Sequence, residues 1–198
     1  MFLNIALPFL IFVFSILCGI FSVNYMLNSF NNFGRFAIGE WNAYPQVGTT
    51  QTDPYTRTRT AIRGNISLGR TEGLVFQIWK DNHGRPLYPH CHYLLKGHIP
   101  EARLFTLYTA DKLLKPYTSS KKIPFELYTH NIIYENDGSF RINISPRPQS
   151  GNWLATVSQK KFGLILTLYD TPIISATALQ KLIMPSVEQI SSGQKNCD

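Results

Sequence analysis

The stretch Gly151-Asn152-Trp153-Leu154, followed by Phe162 to Pro172 (FGLILTLYDTP), decides the fold. Phe162, Leu164, Leu166 and Leu168 alternate with Gly163, Ile165, Thr167 and Tyr169. A period of two is that of a strand with one face on a core. Upstream, Leu74, Phe76 and Ile78 alternate with Val75, Gln77 and Trp79, and Phe140, Ile142 and Ile144 alternate with Arg141, Asn143 and Ser145. Further strands are expected over His90–Lys96, Leu104–Thr109 and Tyr128–Tyr134. The runs Asp81-Asn82-His83-Gly84 and Glu135-Asn136-Asp137-Gly138 supply turn chemistry between them. Short alternating strands punctuated in this way predict an all-β fold, an antiparallel β-sandwich or jelly-roll. The regular helices that a parallel sheet needs between its strands are missing from the pattern.

One or two short helices complete the expectation. Asp53-Pro54 joins a strong N-cap to a residue suited to the first helical position, and Gly64 suits the stop. Spacing would place Tyr55, Thr58, Arg59 and Ile62 on one face of that helix. A weaker helix is expected over Ser175–Leu182, ended by Pro185. Glu40 to Thr52, with Trp41 and Tyr44 among turn formers, reads as an irregular lead-in that packs on the domain.

The chain has 198 residues, and none of its charged side chains precedes Arg35. Residues 5–23 are nearly all apolar; at about 1.5 Å per residue they extend roughly 29 Å, close to one hydrocarbon core. Phenylalanine, leucine and isoleucine surround this segment on every side, unlike an amphipathic core helix. A signal anchor and a cleaved signal peptide both fit such a run. The uncharged amino terminus, the length of the run and the lack of a clear small-x-small site favour the anchor. The division is then a transmembrane anchor over 1–25, a polar linker over 26–39 and a β-sandwich domain over 40–198. Arg35, on the C-terminal side, favours a cytoplasmic domain by the positive-inside rule.

The balance of 19 Lys and Arg against 12 Asp and Glu is basic. The cations are dispersed, with local groups at Lys112, Lys115, Lys121 and Lys122 and at Lys160 and Lys161, and no nucleic-acid-binding motif accompanies them. The expected partners are the lipid bilayer, through residues 5–23, and an envelope protein or glycan, with no nucleic acid.

With the strands placed, a series of motifs falls in one order. They are Trp41, Asp53-Pro54-Tyr55-Thr56-Arg57, Gly84-Arg85-Pro86-Leu87, Cys91-His92-Tyr93, Asp137-Gly138-Ser139-Phe140, Gly151-Asn152-Trp153-Leu154 and Leu168-Tyr169-Asp170-Thr171-Pro172. Over roughly residues 40 to 185 the chain resembles the domain-of-unknown-function family 1214, and most of all its small bacterial membrane-anchored members. The resemblance implies a jelly-roll-like sandwich and carries over no activity, cofactor or catalytic residue. Ala155 and His83 depart from the family pattern, at a loop and at a turn.

No residue pattern announces catalysis. There is no Gly-x-Ser-x-Gly elbow, and Glu72, Glu126 and Asp170 are not paired by spacing. His90 and His92, with His98 nearby, suggest a metal, but on a strand those two side chains share a face that Cys91 avoids, and a dedicated zinc site needs three or four ligands. The expectation is therefore no catalytic residue, no metal site and no cofactor. Cys18 lies in the apolar segment, which leaves Cys91 and Cys197 as a candidate disulfide or as two free thiols; a native bridge would place the domain in an oxidising compartment, the periplasm. Arg147, Asn152, Trp153, Tyr93, Tyr108 and Tyr169 mix flat rings with hydrogen-bonding groups and form a candidate ligand-binding set. Trp153 fits better as a plug for the open end of the sandwich, because large aromatics dominate small cores. The expected product is a single-pass protein of the bacterial inner membrane with a periplasmic structural or binding module. The alternative is a hydrolase or isomerase acting on a glycan or small molecule near the Trp153 loop.

Overall fold

The computed structural model describes residues 2–29, 34–64, 67–69, 71–117, 123–156, 161–173, 179, 181–190 and 197. It begins with α1 (Phe2–Ser29), whose described apolar side chains are almost all exposed. Its stretch Ala6–Leu27 is long and apolar enough to cross a membrane. Pro8 lies inside the helix at its seventh residue, past the first four N–H groups that have no intrahelical partner, so it removes one bond of the helical ladder.

Among the described residues ten strands follow in two sheets. The larger sheet has the order β1 (Phe36–Ile38), β2 (Trp41–Ala43), β3 (Gly73–Ile78), β9 (Gly163–Tyr169), β5 (Leu104–Ala110), β6 (Glu126–Tyr128). The smaller sheet has the order β10 (Ser186–Ile190), β4 (His92–Gly97), β7 (Phe140–Ser145), β8 (Asn152–Ala155). The core lies between them. Phe76, Leu107, Leu164, Leu166 and Leu168 come from one sheet and Tyr93, Leu95, Ile142, Ile144 and Leu154 from the other, all fully buried. The period of two read in β3, β7 and β9 therefore selects the core side chains.

Every pairing is antiparallel except β7 with β8, which run parallel with Ile142 opposite Asn152. This departs from the all-antiparallel expectation. A full crossover normally needs a dozen residues. Here the connection has only to return from Ser145 to the level of Ile142, about 10 Å at strand rise, and residues 146–151 suffice. Gly151 makes the reversal with φ +75°.

Other local expectations change for identifiable reasons. The lead-in is not irregular at Trp41: this residue starts β2, is buried, and its indole N–H donates to the Pro185 carbonyl at 2.7 Å. The region read as a linker, 26–39, contains the end of α1 and all of β1. The strand expected over Tyr128–Tyr134 stops at Tyr128 and gives way to a 3-10 turn over Thr129–Asn131. There the Tyr128 N–H donates to the Asn131 side chain (2.7 Å) and the Phe105 N–H to the Thr129 hydroxyl (2.8 Å), so side chains replace the ladder. The helix expected over Ser175–Leu182 falls mostly outside the described residues.

The expected helix caps are present in α2 (Pro54–Arg63): Asp53 accepts from the Thr56 N–H, and Gly64 closes the helix in the left-handed region. Its inward face differs. Ile62 is exposed, and Thr56 and Arg59 are the buried side chains. The helix lies over the outer face of the larger sheet and also packs against α1, where Met26 and Leu27 are half-buried.

Candidate functional site

On the outer face of the larger sheet, α2 and residues 44–48 and 67–68 wall a cleft of about 1200 Å³. Its floor comes from side chains that alternate away from the core: Val75 and Gln77 of β3, Ile165, Thr167 and Tyr169 of β9, and Tyr108 of β5. The roof explains why β9 is buried on both faces despite its clean alternation. At one end the Trp79 ring packs over Gly163; a Cβ there would lie 2.8 Å from ring atoms.

The charge around this cleft is one-sided. Among the described residues, Arg35, Arg59, Arg63, Lys80, Lys112 and Lys161 line it against one carboxylate, Glu40. Strand register sorts the cations into two groups. Ala43 pairs with both Phe36 and Phe76, which sets Arg35 beside Tyr44 at the level of Val75. Arg59 and Arg63, one helical turn apart on α2, face the same Tyr44. The lysines gather at the other end: Lys80 follows Ile78, which pairs with Leu164, while Lys112 and Lys161 flank the Ala110–Gly163 pair.

The arginine end carries electrostatic tension. Burial pushes the Tyr44 phenol up against the opposing pull of Arg35, Arg59 and Arg63. Burial and then the neighbouring Arg59 charge lower the pKa of Arg63. Arg59 is only 9% exposed and donates to the Tyr55 carbonyl and the Thr56 hydroxyl, each at 3.4 Å. Among the described residues, neither Arg35 nor Arg63 forms an ion pair. On the floor, burial and then the Tyr169 phenol raise the pKa of Tyr108.

The aromatic set read from the sequence is divided among three places. Tyr108 and Tyr169 belong to the cleft. Tyr93 is a core residue: its ring meets Phe162 edge-on at 6.1 Å, and its hydroxyl accepts from the Tyr88 N–H at 2.8 Å. Arg147, Asn152 and Trp153 lie at β8 and the loop before it, on the smaller sheet. Asn152 is nearly buried and acts as a clamp. Its Oδ1 accepts from the Ile133 N–H (2.7 Å), and its Nδ2 donates to the carbonyls of Ile133 (2.7 Å) and Arg141 (2.9 Å). Leu154 is in the core, whereas Trp153 is half-buried, points the other way and donates from its indole to the Ser145 carbonyl at 3.1 Å. Trp153 therefore neither plugs the core nor shares a surface with the cleft tyrosines.

His92 meets Asn143 (3.2 Å), and His98 meets the Asp137 carbonyl (3.4 Å). His90 precedes β4 in a turn and lies beside Cys91 and Cys197, with ligand atoms of all three within 4.8 Å. Cys91 and Cys197 are joined as a disulfide across 106 residues of sequence, which leaves one imidazole in that group for a metal.

The cationic cleft was not anticipated. The signal that could have found it is the pairing of Arg59 and Arg63 with Thr56 and Thr60 on one face of a helix with sound caps at both ends. Read for an apolar face, the same helix presents Tyr55 and Ile62.

Comparison with known proteins extends the fold assignment but brings no activity. No curated protein matches the chain. The crystal structure of the VPA0106 protein from Vibrio parahaemolyticus is similar with a TM-score of 0.56 at 15% identity, over 69% of this chain and 35% of that one. A putative uncharacterized protein from Burkholderia cenocepacia aligns with a TM-score of 0.39 at 13% identity, over 63% of this chain and 31% of that one, a likeness too low to inform topology. The chain thus spans about a third of the length of these solved structures. The family model described as "Protein of unknown function (DUF1214)" matches residues 72–173, which run from the start of β3 through the Asn152 clamp to the end of β9. That match takes in just over half of the sequence, and the chain belongs to the DUF1214 family.

Proposed function

We propose that this protein is a membrane-anchored, non-catalytic binding module whose ligand site is the cleft on the outer face of the larger sheet. The observation that carries the reading is the cleft itself: a concave site of ligand size, floored by rings and hydrogen-bonding groups and rimmed by charge. Its described lining holds one carboxylate and no histidine or cysteine, so it offers neither a carboxylate pair nor a histidine-activated nucleophile. The hydrolase or isomerase reading centred on the Trp153 loop has less support, because the polar atoms of Asn152 and Trp153 are engaged by backbone groups. We place the domain on the periplasmic side of a bacterial inner membrane. The Cys91–Cys197 disulfide supports an oxidising compartment, and α1 supports the anchor.

The test is a thermal-shift screen of the full chain in neutral detergent micelles against neutral, anionic and cationic small molecules and oligosaccharides. It is repeated with Gln77→Trp, which fills the middle of the floor, and with Trp153→Ala. The expected result is a set of stabilising compounds lost with Gln77→Trp and kept with Trp153→Ala. Hits that survive Gln77→Trp in a folded protein, or a screen without hits, would overturn the assignment.

A further inference from the structure

We infer that the cleft takes an elongated acidic glycan, with one anionic group seated at Arg35, Arg59 and Arg63 and a second at Lys80, Lys112 and Lys161. This rests on the cleft being a binding site and adds the chemistry of its occupant.

Three observations carry it. The first is the sign of the described lining, six cations to one carboxylate. Like charges gathered at a partly covered site repel one another, and Arg59 is nearly withdrawn from solvent. An incoming carboxylate, sulfate or phosphate relieves that repulsion and takes charge-assisted hydrogen bonds from the guanidinium forks. The second is spacing. From the level of Val75, where Arg35 and Tyr44 sit, to Lys80, two residues past the end of β3, is five residues of chain, about 17 Å at strand rise. One small anion cannot engage both ends. The third is the floor between them. Tyr108 and Tyr169 offer ring faces, while Asn42, Gln77 and Thr167 offer amide and hydroxyl groups interleaved with Val75 and Ile165. An acyl chain needs a continuous apolar track. A sugar has an apolar ring face and a polar rim, and it matches this alternation.

The probe is an oligogalacturonate long enough to span the cleft, titrated calorimetrically into the full chain in neutral micelles at low salt. Galacturonate monomer and the methyl-esterified oligomer serve as comparisons. Arg63→Gln and Lys112→Gln each remove one cation from opposite ends, and Lys96→Gln removes one outside the cleft. Losing one charge-assisted contact should weaken binding of the acidic oligomer about tenfold or more for Arg63→Gln. Lys112→Gln should weaken it several-fold, and Lys96→Gln should leave it within about twofold. The monomer should bind far more weakly and respond to Arg63→Gln alone. Equal binding of the neutral ester, or equal affinity of the Arg63→Gln and wild-type proteins, overturns the inference while leaving a neutral-ligand module intact. An anionic lipid is the competing occupant. Native mass spectrometry in nanodiscs of mixed phosphatidylglycerol and phosphatidylcholine separates the two. Retained phosphatidylglycerol that falls away with Arg63→Gln, alongside no oligogalacturonate binding, overturns the glycan in favour of lipid.

Discussion

Replacing Asn152 should unfasten the smaller sheet. Its amide makes three short bonds, to both backbone groups of Ile133 and to the Arg141 carbonyl, and these partners fix which end carries the oxygen. At about 1 kcal/mol net per bond, and with the abandoned groups only partly open to water, Asn152→Ala should cost about 2 to 4 kcal/mol. Asn152→Asp is nearly isosteric and more informative. It keeps the acceptor for Ile133 N–H but turns a carboxylate oxygen toward two carbonyl oxygens. At neutral pH it should be the less stable variant. The introduced carboxyl should have a folded-state pKa above its unfolded value of about 3.9, because only its protonated form can donate to a carbonyl. A raised folded pKa means that the folded state holds the proton more tightly, so this variant regains stability as pH falls toward about 4 and loses it as pH rises through the folded pKa. Urea titration of the full chain in micelles, followed by tryptophan fluorescence and circular dichroism, reads both effects as shifts in midpoint at constant slope. Midpoints for both variants within about 0.5 kcal/mol of wild type would refute the clamp, as would an Asn152→Asp stability that ignores pH.

Three further outcomes follow from the same structure. Asp81 has no solvent exposure; burial would push its carboxyl up, but hydrogen bonds from Arg85 and His83 and the Arg85 charge outweigh it and hold the pKa below the ordinary carboxylate value. Its contribution is therefore complete above about pH 4 and lost as pH falls through the lower folded value, so Asp81→Asn should cost about 3 kcal/mol at neutral pH with the gap closing in acid, measured by urea midpoints across pH. The buried Thr109 hydroxyl has no hydrogen-bond partner among the described residues, so Thr109→Val should stabilise the protein by about 1 kcal/mol, seen as a raised midpoint. Breaking the Cys91–Cys197 bridge with Cys197→Ser opens a loop spanning 106 residues of sequence, for which chain entropy gives an upper value of about 4.8 kcal/mol; a measured loss of about 2 to 4 kcal/mol, matched by wild type under reductant, is expected.

The parts of the fold legible in the sequence are those fixed by local alternation. In β3, β5, β7 and β9 a period of two coincides with core contact, and in α2 both caps act within a few residues. β10 was missed because Val187 is its one fully buried side chain; it forms because the Asn82 side chain and backbone grip Val187 across 105 residues and because it pairs with β4. The Asn152-Trp153-Leu154 motif was the best marker of the fold for the reason that makes it a poor marker of function: its polar atoms hold strands and loops together. The cleft was illegible for a different reason. Its cations lie between positions 35 and 161 and meet only through strand register and the seating of α2, whose buried face is cationic where amphipathic patterning expects an apolar one.

Binding at the outer-face cleft, and not at the Trp153 loop, has its own signature in backbone exchange. Hydrogen-exchange mass spectrometry of the full chain, with and without the tightest compound from the thermal screen, tests it directly. Slowed exchange is expected in α2, in β3 and in β9, with residues 146–153 unchanged. Protection confined to 146–153, with α2 and β3 exchanging as in the free protein, would contradict it.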